Sequence, residues 1–387
     1  MVTNPKIVIV GCGVVGALAA YELSHKVSAD IVVIDRQLSA QGSTGAALGV
    51  LMGVISHKTK GRTWRLREAS TRRYRALIAE LALQGYPVPF NTDGIVSLCF
   101  DQSKLPRWQA LKEQRHAQGW PLEIWSPEML QARCPHIDIV SQSALELASV
   151  KAAIYSPADG QVHPVALTQA LVAAAAARGV AFRWNTEVTR LQMAGLQCRG
   201  VQTVQGDLEA DWVVLSAGLG SAALTKLTGD RRKEDSRKEN SGKDDEPLEL
   251  MPVLGQAMEI QLSRVLGKAD FQPVVNGDDV HLVPLGEGRY WLGATVEFPP
   301  EQGVLLPEAE LLAAVRQGGE RYCGAIAQAE ILRTWSGLRP RPVGQPAPVI
   351  KPLGNISNVI LATGHYRNGV LLAPATAQQL CELLAIA

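Results

Sequence analysis

A short unbroken apolar run at 7–10 gives way to glycines at 11, 13 and 16. The chain then continues through Ala17, Leu18, Ala19, Ala20, Tyr21 and Leu23 to a second apolar run at 31–34. Brief continuous apolar runs bounded by turn residues read as strands buried on both faces, and the stretch between them has helix length. The same buried-strand pattern returns at 181–184, 186–191, 211–216 and 359–362, with helices expected at about 165–178 and 374–384. A long amphipathic helix is expected at about 63–83 and a charge-rich one at 105–118. The stretches 94–100, 256–262, 281–284 and 290–295 are apolar enough for strands but lack the alternation with helices that a parallel sheet needs.

The glycines carry the first chemistry. Gly11-x-Gly13-x-x-Gly16 sits between a strand and a helix, and Asp35 closes the second strand. Gly11 permits the tight turn, Gly13 lets the backbone approach a pyrophosphate, and Gly16 allows close helix–strand packing. The helix N-terminus faces the phosphates, and Asp35 can accept from a ribose. A dinucleotide is therefore expected, although the motif alone does not separate NAD from FAD. Gln41–Leu51 is dominated by Ser, Gly and Ala, as suits backbone lying against a bulky ligand.

The fold class expected is α/β. A Rossmann-type, three-layer domain on a parallel sheet (1–85, 156–225 and 336–387) is interleaved with a second α+β domain on an antiparallel sheet (86–155 and 226–335). Residues 229–246 mix both charge signs and hold no apolar side chain, so they read as a solvated insertion.

The 387 residues can bury a sizeable core, and 47% are hydrophobic. With 38 basic and 37 acidic side chains the net charge is +1, which offers no footprint for nucleic acid. The six cysteines are scattered without a C-x-x-C pair, so neither metal nor disulfide is expected, and a cytoplasmic setting is. The first apolar run is too short and too directly joined to the glycine motif for a secretory signal, and no run is long enough for an integral membrane segment.

Several separated motifs together identify a family. IVIVGCGVVG at 7–16, STGAALG at 43–49, SPADGQVHP at 156–164, VVLSAG at 213–218, WSGLRP at 335–340 and ATGHYRNGVLLAPATA at 362–377 resemble the FAD-dependent D-amino-acid oxidase superfamily. Within it they resemble the glycine oxidase group linked to thiamine biosynthesis. The resemblance implies noncovalent FAD, with Gly11, Gly13, Val14, Val15 and Gly16 along the pyrophosphate and Asp35 and Arg36 at the ribose and adenine edge. It places Ser43, Thr44, Ala46, Ala47, Gly49 and Leu51 by the phosphates and isoalloxazine, Val188 by the adenine, and Ala217 and Gly218 on the ribityl side. Gly337, and the loop of Gly364, His365, Tyr366, Arg367, Asn368, Gly369 and Val370, would complete the flavin site. A loop with two glycines opening a helix also suits the charge that gathers at flavin N1 and O2 on reduction.

On the same resemblance Arg339 binds the substrate carboxylate, for which a planar guanidinium is suited, and Arg367 is a second cation near the flavin. Where glycine oxidases carry a tyrosine ahead of an apolar-Val-Pro segment, this chain has His281 in HLVPL, with Leu285 where a basic residue often stands. The implied reaction is hydride transfer from a small amino acid or secondary amine to flavin N5. The imine hydrolyses, and dioxygen, as acceptor, is reduced to hydrogen peroxide. A dehydrogenase passing electrons to a quinone or carrier, and a flavin-binding assembly factor without catalysis, are the alternatives. Homo-oligomerisation is left open.

Overall fold

The computed structural model describes residues 4–139, 149–226 and 248–384. The charged segment 229–246 lies outside the described residues.

Two sheets organise the chain. The first has six strands in the order Val349–Leu353, Ile356–Thr363, Trp212–Leu215, Lys6–Val10, Asp30–Ile34, Ala181–Arg183. All its pairs are parallel except the edge pair of Val349–Leu353 with Ile356–Thr363. Its central strands are apolar on both faces because both are covered. On one face the helices Val14–Lys26, Gly61–Leu83, Pro164–Ala177 and Gly369–Leu383 bury Ile7, Ile9, Leu18, Leu171 and Leu372 in one cluster. On the other, Val8, Val10 and Leu215 pack with Val188, Leu191 and Val201.

That second covering corrects one expectation. The stretch 186–191 does not continue the parallel pattern: Val188–Ala194, Gln197–Thr203 and Gly206–Glu209 form a three-stranded antiparallel meander. It packs on the parallel sheet through Val188, Leu191, Cys198 and Val201 and leaves much of its remaining surface solvated.

The second sheet runs Glu330–Pro342, Leu250–Gln261, Arg289–Gly293, Val280–Gly286, Val274–Gly277, Ile95–Cys99, Ala152–Ser156, Glu123–Trp125. Its pairs are antiparallel apart from Val274–Gly277 with Ile95–Cys99. Glu330–Pro342 is one continuous strand, and the expected domain boundary at 336 falls inside it. One face is buried with the helices Pro127–Arg133 and Ala309–Glu320 through Leu130, Ile260, Leu292 and Val315. The other buries Leu48, Ile55, Val283 and Trp291. No helix among the described residues is long and apolar enough to cross a membrane.

The closing helix begins at Gly369, five residues earlier than expected, and carries Pro374 inside it. Its first turn consequently lies directly after the Gly364 loop.

Register sets where a ligand can bind. Val10 pairs with both Ile34 and Leu215, and Leu215 pairs with Leu361. Gly11, Asp35 and Ser216 therefore leave the sheet along one carboxyl edge, beside the end of Ile356–Thr363, where open parallel sheets hold their ligands.

Candidate active site

A cavity of about 1000 Å³ opens at this edge and reaches the second sheet, at the upper end of the range for small-molecule sites. Its glycine turn is built as the motif requires. Gly11 has φ +101°, and a Cβ there would fall 2.6 Å from Ala217 Cα; one on Gly16 would fall 1.9 Å from the Gly11 carbonyl oxygen. A Cβ on Gly13 meets only Thr44 Oγ1, at 3.0 Å. The backbone here is thus bare enough for a pyrophosphate.

Two of the amides at this turn are already engaged. Asp35 Oδ2 accepts from Cys12 N–H at 2.6 Å, and its Oδ1 accepts from Gln37 N–H at 2.9 Å. Thr44 Oγ1 accepts from Val14 N–H at 3.0 Å. Asp35 therefore braces the turn from the cavity wall, and its carboxylate oxygens have further lone pairs to offer.

The small-residue segment is tied to the WSGLRP strand. Ser43 Oγ donates to the Leu338 carbonyl at 2.6 Å, and Trp335 Nε1 donates to the Ala46 carbonyl at 3.2 Å. A Cβ on Gly337 would sit 2.3 Å from Ala46 Cβ, so the two segments meet at backbone distance.

The cavity wall brings together Gly11, Gly13, Val14, Val15, Asp35, Arg36, Ser43, Thr44, Ala46, Ala47, Gly49, Val188, Ala217, Gly218 and Gly337. It also takes in His281, Arg339 and every residue from His365 to Val370. Gly16, Leu51 and Gly364 are absent from the wall: Gly16 packs helix on strand, Leu51 joins the core, and Gly364 has φ +67° at the loop entrance.

At the second sheet, Arg339 Nη1 donates to the Leu254 carbonyl at 3.0 Å. Among the described residues no carboxylate lies within ion-pair distance of it. Burial, followed by the charge of Arg367, holds its pKa below the ordinary arginine value. Arg367 instead reaches Asp279 Oδ1 at 3.4 Å. His281 Nδ1 is buried without a hydrogen-bond partner, and burial pushes its pKa down to about 4, helped by Arg367. The ring is neutral at physiological pH.

His365 is engaged elsewhere through Nε2. Its Nε2 lies 2.8 Å from Thr376 Oγ1, which itself donates to the Leu372 carbonyl. The hydroxyl proton is thus spoken for, so the imidazole donates through Nε2–H and anchors the loop to the helix.

Residue-level reading of the sequence missed Arg67, Met52, Gly255, Ala294, Thr186 and Glu187, all on the wall. Arg67 had a signal: it shares a helix face with Trp64, Ser70, Tyr74 and Leu77, all buried. A charge at a core position of a helix asks for an explanation.

The profile of FAD dependent oxidoreductases (DAO) matches residues 6–383. The chain belongs to this family. A glycine oxidase of Pseudomonas putida is 28% identical over 386 residues, covering 98% of this chain and 94% of that protein. The crystal structure of glycine oxidase from Geobacillus kaustophilus superposes with a TM-score of 0.82 at 23% identity, over 99% of this chain and 95% of that one. L-proline dehydrogenase from P. horikoshii superposes with a TM-score of 0.82 at 21% identity, over 99% and 94%. The protein is an FAD-dependent oxidoreductase of this family, and the bare glycine turn, the volume of the cavity and the loop 365–370 on its wall fit that cofactor.

Proposed function

We propose that this oxidoreductase acts on a small amino acid or secondary amine and that Arg339 holds the substrate carboxylate. The observation that carries this reading is a half-buried guanidinium on the cavity wall with a single carbonyl partner and no carboxylate within reach. Such a group is best satisfied by a two-pronged anion.

The other roles follow from placement. Gly11 and Gly13 present bare backbone to the pyrophosphate, and Asp35 and Arg36 stand at the ribose end. The loop 364–370 and the first turn of Gly369–Leu383 bring a helix N-terminus to the flavin wall. FAD supplies the two-electron acceptor. His281, neutral and on the cavity wall, puts an uncharged imidazole where the resemblance to glycine oxidases leads one to expect a tyrosine. Leu48, Ala294 and Leu338 give the wall its apolar part, which excludes water from the reacting carbon. Holding that carbon about 3–3.5 Å from its acceptor supplies much of the rate. With FAD bound, dioxygen would serve as the final electron acceptor and hydrogen peroxide would be released.

Anaerobic titration of the yellow holoenzyme with glycine, sarcosine and a series of D-amino acids tests the reading. Bleaching by at least one of these amines is expected, with peroxide appearing on admission of air. Bleaching without peroxide moves the protein to the dehydrogenases, and a flavin untouched by every amine overturns the substrate class.

A further inference from the structure

Arg67 takes no part in the substrate contacts above, and its surroundings are unusual for a cation. It is 8% exposed, inside the helix Gly61–Leu83. Its Nη1 donates to the Met52 carbonyl at 2.6 Å and its Nη2 to Asn368 Oδ1 at 3.0 Å, while Nε is buried without a partner. Among the described residues no carboxylate lies within ion-pair distance of it.

The acid whose charge it does feel is Asp159. That carboxylate is itself buried and already accepts from the N–H groups of Gly53, Val54 and Ile55 at 2.7–2.8 Å. Arg115 shares the same surroundings: it donates to the carbonyls of Val54, Ser56 and Lys58, lies over the Trp64 ring, and feels the charge of Arg67. Glu68, whose charge Arg115 also feels, is hydrogen-bonded to Arg72 and Trp120, so its charge is already balanced by Arg72. Two buried guanidiniums thus stand against one buried carboxylate, leaving an excess positive charge beside the cavity in a medium that screens it weakly.

The second observation is where Arg67 points. Asn368 immediately precedes the helix Gly369–Leu383 and makes no capping bond to it with its side chain; its amide oxygen serves Arg67 instead. Asn368, Gly369, Val370 and Arg67 all line the cavity. A helix N-terminus without a side-chain cap and a guanidinium without a carboxylate partner therefore converge on one wall.

We infer that Arg67 is a positioning residue for bound FAD: through Asn368 it holds the loop and helix N-terminus against the flavin, and its uncompensated charge raises the cofactor's affinity for electrons. The inference rests on the FAD assignment and is independent of which amine is oxidised. A negative charge that arrives on reduction is what such a wall favours.

The test is anaerobic reduction of the holoenzyme by xanthine and xanthine oxidase with a reference dye, reading the ratio of reduced to oxidised flavin. Arg67→Met is expected to retain FAD and to lower that ratio about tenfold at a given dye potential, equivalent to about 30 mV for a two-electron couple. Arg67→Lys, which keeps the charge, should recover most of the difference. A wild-type ratio in Arg67→Met, or equal falls in both variants, overturns the proposal. If Arg67→Met loses FAD, Asn368→Ala carries the test. It cuts the link but keeps the cation, so a smaller fall in the same direction is expected, and an unchanged or higher ratio refutes the inference. No amine substrate enters these measurements, so a failure here is distinct from a failure of the substrate reading.

Discussion

The guanidinium of Arg339 lies across Gly255 on the neighbouring strand: a Cβ built on Gly255 would fall 2.0 Å from Arg339 Nη2. Gly255 pairs with Gly337, and Val253 with Arg339, so the side chain crosses two registers to reach the cavity. Only a glycine leaves that path open.

Arg339→Lys should raise KM for the amino acid substrate by roughly 10–100-fold, since a point charge replaces a two-pronged donor, while FAD stays bound. Gly255→Ala should produce the same KM effect with Arg339 intact, by pushing the guanidinium off its path. Steady-state kinetics with the flavin spectrum as control reads both. Loss of FAD in Arg339→Lys, or an unaltered KM in Gly255→Ala, contradicts the assignment.

The glycine turn separates folding from binding. A Cβ on Gly16 collides with the Gly11 carbonyl and lies 2.7 Å from Ser216 Oγ, whereas one on Gly13 touches only Thr44 Oγ1. Gly16→Ala should therefore cost about 3 kcal/mol or more of stability, seen as a lowered urea midpoint. Gly13→Val should keep a folded circular-dichroism spectrum but bind FAD at least roughly tenfold more weakly, because the branched side chain fills the pyrophosphate approach. A yellow Gly13→Val protein would place the pyrophosphate elsewhere.

His365 should make stability depend on pH. Its pKa is pushed from an ordinary 6.5 to about 3, by burial first and then by the charge of Arg62. The folded state thus keeps the ring neutral while the unfolded chain takes up a proton below 6.5. The stabilisation is complete above that pH and is lost as pH falls toward 3. From pH 7 to pH 5 the loss amounts to about 2 kcal/mol. Urea unfolding at the two pH values should show a larger drop for the wild type than for His365→Gln, and parallel drops would contradict the buried neutral ring.

The glycine turn, the apolar strands beside it and Asp35 were legible because each obeys a local rule that neighbouring residues suffice to satisfy. The second sheet was legible because its apolar runs lack the intervening helices that a parallel sheet needs, although its longest edge strand, Glu330–Pro342, escaped notice. That strand is largely exposed and so carries little of the apolar signal that marks a buried strand. The meander at 188–209 was misread for a related reason. A short apolar run does not say whether its partner comes from a distant parallel strand or the next antiparallel one. Pro374 suggested a later helix start, because proline is most at home in a first turn; here it is buried in the helix interior.

By itself the sequence determined the glycine turn, the positions of the central apolar strands and, through its separated motifs, the kinship with FAD-dependent oxidoreductases. Spacing within a few residues and the periods of strand and helix are enough for that. Tertiary structure alone decided that Arg339 passes over Gly255 without meeting a carboxylate and that Arg67, some 300 residues before Asn368 in the chain, holds its amide. It also decided that His281 has a ring nitrogen to spare. Whether a charge is paired depends on what the fold brings within a few ångströms of it, and Coulomb energy in a dry interior depends on that separation and not on distance along the chain.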